Sequence, residues 1–176
     1  MAPELLYSRA RPPHTMHTSS TISFDDSLWP LLVVKFTGVP TTPQWEAYLE
    51  ELTRHLERGE RFIALADMSG MSGTGPSEQR FQQVEWLKQH EARLRELHLG
   101  AAIVITSPVV RLAVSVVFFL KPAPMPYFIA SNVTDAAEWV ARRLEEKGLL
   151  TEAGRVREHF QLPPSAPPAG NTPGQS

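Results

Sequence analysis

The side chains able to do chemistry gather in two short stretches. Residues 67–78 read Asp-Met-Ser-Gly-Met-Ser-Gly-Thr-Gly-Pro-Ser-Glu, and residues 105–111 read Ile-Thr-Ser-Pro-Val-Val-Arg. Asp67, Ser69, Ser72 and Ser77 in the first stretch, with Ser107 and Arg111 in the second, form a candidate regulatory or anion site. A carboxylate at Asp67 could accept a bidentate contact from the Arg111 guanidinium. Two versions of that pair stand open: an anion or partner site, and an ion pair that locks a crossover connection. Ser77 follows Pro76 at the expected start of a helix, where backbone N–H groups favour negative charge, although Glu78 beside it opposes a phosphate.

Other chemistries lack their parts. The glycine-rich run is not a nucleotide loop of the Walker type, because Gly75 is followed by Pro76-Ser77 and not by Lys-Ser/Thr. No G-x-S-x-G elbow and no H-E-x-x-H pair occur. No set of His, Asp and Glu falls at metal-ligand spacing. His14 and His17 lie in a polar lead-in without further ligands nearby, His55 sits in the basic end of a helix, and His90 and His98 have no evident acid partner. No catalytic, cofactor-binding or metal-binding residue is assigned, and the expectation is a protein that is not an enzyme. Cysteine is absent, which removes disulfides and thiolate chemistry and suits a reducing compartment.

A formal net charge of −2 over 176 residues leaves no basic surface for nucleic acid. The N-terminal residues lack the apolar core of a signal peptide. The apolar stretch 99–120 is interrupted by Arg111 and by Ser107-Pro108, into pieces too short to cross roughly 30 Å of hydrocarbon. A cytoplasmic protein without a transmembrane segment is expected.

The elements that must position these residues follow from periodicity and punctuation. Residues 1–19 mix Pro, Arg, His, Ser and Thr without periodicity and 161–176 are rich in Pro, Ala, Gly and Ser, so both are expected to be disordered, leaving one domain over 20–160. Strands are predicted over 21–24 and 29–37, joined by a turn at Asp25-Asp26-Ser27. A helix follows from Thr42-Pro43 to Gly59, then a strand over 61–67 and a loop over 68–76. A long helix over 76–97, a strand over 99–106 and a helix over 107–121 come next. A strand over 127–130, a helix over 135–147 and a short helix over 151–160 complete the chain. Ser107 as cap, Pro108 in the first turn and Pro122 beyond the end favour helix for 107–121, although its Val and Phe content favours strand. On that helix Val109, Leu112, Ala113, Val116, Val117 and Leu120 are expected to face the core. Val110, Arg111, Val114, Ser115 and Phe118 are then the outer face, and its three large apolar groups make it a candidate interaction surface.

The alternation of strands and helices implies an α/β fold: a mixed sheet opened by an N-terminal hairpin, then parallel strands joined by right-handed crossovers, with about four main helices. The element order, the strand ending in Asp67, the SGMSGTGPS loop into a helix, the AIVITSPVVR turn and the closing PAPMPYFIASNVTDAAEWV segment resemble the SpoIIAA-like fold of STAS domains and bacterial STAS/SEC14-like proteins. The resemblance covers about residues 21–147. It implies a non-enzymatic signalling, regulatory or scaffold module that binds another protein or itself, a homodimer being one form, and the outer face of the 107–121 helix read above would carry much of that contact. It also implies a phosphorylatable hydroxyl near Ser77, although the second acid of the family's Asp-Ser-Ser-Gly run is missing here. The SEC14-like branch implies the alternative, a carrier of an apolar ligand such as a lipid, which requires an enclosed cavity beneath that helix.

Overall fold

The structure, a computed structural model, describes residues 20–165. The terminal disorder expected over 1–19 and 166–176 falls outside the described residues. Of residues 161–165, assigned to the tail by composition, Leu162 packs against the core and its N–H donates to the Arg157 carbonyl at 2.9 Å.

The chain opens with an antiparallel pair, β1 (Thr21–Leu28) and β2 (Leu31–Gly38). The polar triplet Asp25-Asp26-Ser27 is not the turn between them. It lies inside β1, where the register shifts and the Ser27 N–H donates to Asp25 Oδ1 at 2.9 Å, and the reversal comes at Trp29-Pro30. Helix α1 (Thr42–Glu57) is capped one residue earlier than Thr42. Thr41 Oγ1 accepts from the Gln44 N–H at 3.4 Å, and Gln44 Oε1 accepts from the Thr41 N–H at 2.9 Å, a reciprocal capping box.

Strand β3 (Phe62–Met71) runs four residues past Asp67, because Gly70 and Met71 pair with Thr37 and Gly38 on β2. Half of the expected loop is therefore strand. Gly70 permits it: a Cβ there would lie 2.8 Å from the Phe36 carbonyl oxygen. The long helix predicted over 76–97 is two helices, α2 (Ser77–Gln89) and α3 (Glu91–Leu97), broken at His90. His90 Nδ1–H donates to the Trp86 carbonyl at 2.9 Å at this joint.

Strand β4 (His98–Val104), helix α4 (Pro108–Leu120), strand β5 (Tyr127–Ala130), helix α5 (Val133–Glu146) and helix α6 (Leu150–His159) follow in the expected order. Ser107 Oγ accepts from the Val110 N–H at 3.4 Å, so the predicted cap of α4 is formed. Asn132 caps α5 in the same way, Oδ1 accepting from the Asp135 N–H at 2.8 Å.

The strands lie in the order β1-β2-β3-β4-β5, all parallel after the opening hairpin. Each crossover steps to the next strand in the same direction, and right-handed crossovers of that kind put their helices on one face. Helices α1 to α4 accordingly cover one side, where Leu32, Val34 and Phe36 meet Leu56, Leu87 and Leu94. The last two helices cover the other, where Leu31, Ile63 and Leu65 meet Val140, Leu144 and Val156. The period-2 alternation of β2 and β3 thus feeds two cores at once. Ala136, Ala137 and Ala141 let α5 lie close to the sheet, and Trp139 rests on Gly100, where a Cβ would come within 2.6 Å of its ring.

Candidate functional site

The ends of β3 and β4 bring part of the predicted polar set together, with partners other than those expected. Asp67 is buried, and its Oδ1 accepts from the Ser69 N–H at 3.0 Å and from Ser69 Oγ–H at 2.6 Å. Arg111 turns back instead to the Ile105 carbonyl, which Nη2 reaches at 3.3 Å. Among the described residues Asp67 and Arg111 form no ion pair. The local turn closes first because Ser69 is two residues away, whereas an Arg111 contact needs ordering across a crossover. Thr106 Oγ1 donates to the Ser69 carbonyl at 3.5 Å, the one side-chain hydrogen bond between the two stretches among the described residues, and Met68 and Met71 pack against Ile105 and Val110.

Ser72 is exposed and joined to Gly38 through its backbone, Ser77 is exposed in the first turn of α2, and Ser107 is taken up as a cap. Among the described residues, none of Ser69, Ser72, Ser77 and Ser107 has a histidine as a hydrogen-bond partner. The histidines serve packing: His55 is buried, stacks on Phe24 and donates from Nδ1 to the Glu51 carbonyl at 2.9 Å. His98 packs on Phe62 with ring centres 4.4 Å apart, and its Nδ1 accepts from the Gly100 N–H at 3.2 Å. That bond leaves the ring proton on Nε2, and burial pulls the His98 pKa down to about 3, so the imidazole is neutral.

The second predicted feature, the outer face of α4, is turned. Val110 is 1 % exposed, and Val114 and Phe118 pack against Ile103, Ile105 and their neighbours, while Val117 is buried at 8 % as expected. The outward face is Val109 at 59 %, Leu112 at 66 %, Val116 at 37 % and Phe119 at 86 %. Arg111 and Ser115 are exposed as expected, but they lie on the flank of the helix and not at the centre of its outer face. The reason is local. Apolar residues surround this helix, so periodicity does not choose a face. The Ser107 cap and the Arg111 reach to Ile105 fix the rotation that sends Val110 inward.

Beneath α4, between the sheet and helices α1, α2 and α4, lies a cavity of about 170 Å³. Its wall is almost wholly apolar, with Ala64, Ala66 and Ile103 below and Val114, Val117 and Phe118 above. Alanines make the space: Ala64 and Ala66 occupy alternate positions of β3 facing the helices, with Ala101 beside them on β4. That alternation stands in the sequence as F-I-A-L-A and was the available signal for a cavity. The polar exceptions come mainly from α1 and α2, with Thr74 of the preceding loop and His98 of β4 beside them. Trp45 and Gln83 line the cavity, and Trp45 Nε1 and Gln83 Oε1 are buried with no hydrogen-bond partner among the described residues. Trp86 Nε1, by contrast, donates to Thr53 Oγ1 at 2.9 Å. Tyr48, also in the wall, has its phenol pKa pushed well above the ordinary value by burial.

This architecture has a counterpart among solved structures. An uncharacterised protein of the DUF3478 family from Shewanella loihica PV-4, described as having a SpoIIAA-like fold, superposes with a TM-score of 0.50 at 17 % identity. The match covers 79 % of this chain and 98 % of that one. This chain has a SpoIIAA-like fold. An anti-sigma factor antagonist from Mycobacterium paratuberculosis matches at a TM-score of 0.44 and 17 % identity, over 69 % of this chain and 94 % of that one. No family model matches the sequence, and no curated protein does. Among the described residues no helix is long and apolar enough to cross a membrane.

Proposed function

We propose that the protein is a non-enzymatic regulatory module of the cytoplasm that works by protein contact, two copies meeting through the outward face of α4. The observation that carries this reading is the stripe Val109, Leu112, Val116 and Phe119, one apolar residue per turn and all exposed. Four such groups clustered on a rigid helix are the composition of an interface centre, and Arg111, Ser115 and Tyr127 would supply a more polar rim. The polar strand-end set does not favour catalysis, since its one buried acid is engaged by Ser69.

Sedimentation of the wild type and of the Leu112→Glu, Phe119→Glu double variant tests the reading. A dimeric wild type and a monomeric, folded variant are expected. A wild type that stays monomeric up to high micromolar concentration overturns self-association.

A second reading is favoured by the cavity. A half-open apolar space of about 170 Å³ under α4 has the size and lining that a carrier of a small apolar ligand needs. An engineered cavity of roughly 150 Å³ with similar lining holds benzene or xenon. Native mass spectrometry of the purified protein, with and without added alkanol, tests it: a mass increment of one ligand is expected, and its absence at saturating alkanol removes the reading.

A further inference from the structure

The cavity wall carries polar groups from α2 and α1. Arg80 and Gln83 stand three residues apart on α2, so their side chains leave the same side of that helix, and both line the cavity. Trp45 adds its indole from α1, which packs against α2. The Arg80 guanidinium forms no ion pair among the described residues, and its hydrogen bond to the Gly75 carbonyl is long, at 3.5 Å. Trp45 Nε1 and the Gln83 side-chain oxygen are buried without partners. The opposite walls, on α4 and the sheet, are Val114, Val117 and Ile103.

A buried donor without a partner costs more than the bond it would make, so a group that meets it binds with more than apolar affinity. An unpaired guanidinium beside it selects for negative charge, and its planar fork suits a carboxylate. The Gln83 amide fits the same head. Turned by 180° about its last bond it presents Nε2–H in place of the orphan oxygen, an exchange that the hydrogen-bond network decides.

We propose that the cavity binds a small carboxylic acid with an apolar body, a chain or ring of about six to ten carbons by comparison with the benzene-sized engineered case. The carboxylate sits on Arg80 and accepts from Trp45 Nε1–H and the Gln83 amide, and the body lies under α4 against Val114 and Val117. The proposal rests on the ligand-carrier reading above and adds the chemistry of the head.

Calorimetric titration of the full chain with octanoate and with octanol, which share a body and differ in the head, tests it. The wild type is expected to bind octanoate more tightly. Arg80→Gln should weaken octanoate at least tenfold and leave octanol within twofold. Trp45→Phe, which removes the N–H donor, should weaken octanoate severalfold as an independent check. Val114→Phe, which fills the cavity, should abolish both. Equal binding of the two ligands by the wild type, unchanged in Arg80→Gln, overturns the carboxylate assignment and leaves a plain apolar carrier. Failure of both ligands to bind the folded wild type overturns the carrier reading together with the proposal.

Discussion

Replacing Ala66 with valine separates an open cavity from a filled one by the sign of a single number. Ala66 lies on β3, lines the cavity and looks across it toward the helices. Valine adds two methyl carbons, and about 0.8 kcal/mol per buried carbon gives about 1.6 kcal/mol of added stability if the space is open. Valine also suits a strand better than alanine. In a site already packed to interior density, the same two carbons would force neighbours off their rotamers at a cost of about 1–3 kcal/mol. The two cases differ by about 3 kcal/mol and in direction. Urea unfolding followed by tryptophan fluorescence measures the change through the midpoint at constant slope. For a domain of this size the thermal midpoint should rise by about 3–6 °C. A fall in both midpoints would refute the reading of the α1–α4 side as under-filled. A rise accompanied by loss of octanol binding would tie the stability gain to the ligand space itself.

Two further outcomes test the orientation of α4 and the state of the His98 imidazole. Val110→Ala should cost about 2 kcal/mol by removing two methyl carbons from a fully buried site, whereas Leu112→Ala, measured in dilute monomer, should stay within about 0.5 kcal/mol. Equal costs in urea titrations would mean that the helix is rotated from its described position. His98 has a folded-state pKa of about 3, below the unfolded value near 6.5, so the unfolded chain binds the extra proton between those values. Stability is therefore fully present above pH 6.5 and falls as the pH drops toward 3, by up to about 1.4 kcal/mol per unit. Between pH 6.5 and 5, where carboxylates remain ionised, His98→Gln should flatten that slope; an unchanged slope contradicts a neutral His98.

The order of elements was readable because caps, prolines and strand alternation agree along the chain. Ser107-Pro108 announced α4 against the β preference of its valines, and the cap is formed. What periodicity did not carry was anything settled by distant partners. Asp25-Asp26-Ser27 has the composition of a turn, yet pairing with β2 keeps it inside β1 as an irregularity. Gly70 and Met71 look like loop, and the edge of β2 makes them strand. The rotation of α4 was invisible because apolar residues line it on nearly every side. The inward set Val110, Val114 and Phe118, fixed by the cap and the Arg111 bond, meets Ile103 and Ile105, which are contacts and not a pattern. The Asp67–Arg111 pair was inferred from strand-end proximity and lost to shorter-range bonds from Ser69 and to the Ile105 carbonyl. The cavity needed both the alanines of β3 and β4 and the knowledge that no large side chain from α1, α2 or α4 fills the space above them.

Xenon binding tests the central claim, an unfilled apolar space beneath α4, without reference to any biological ligand. A crystal of the full chain pressurised with xenon should show one ordered atom between Ala66 on the sheet and Val114 on α4. Electron density there occupied by protein side chains, with no xenon bound, would contradict the account.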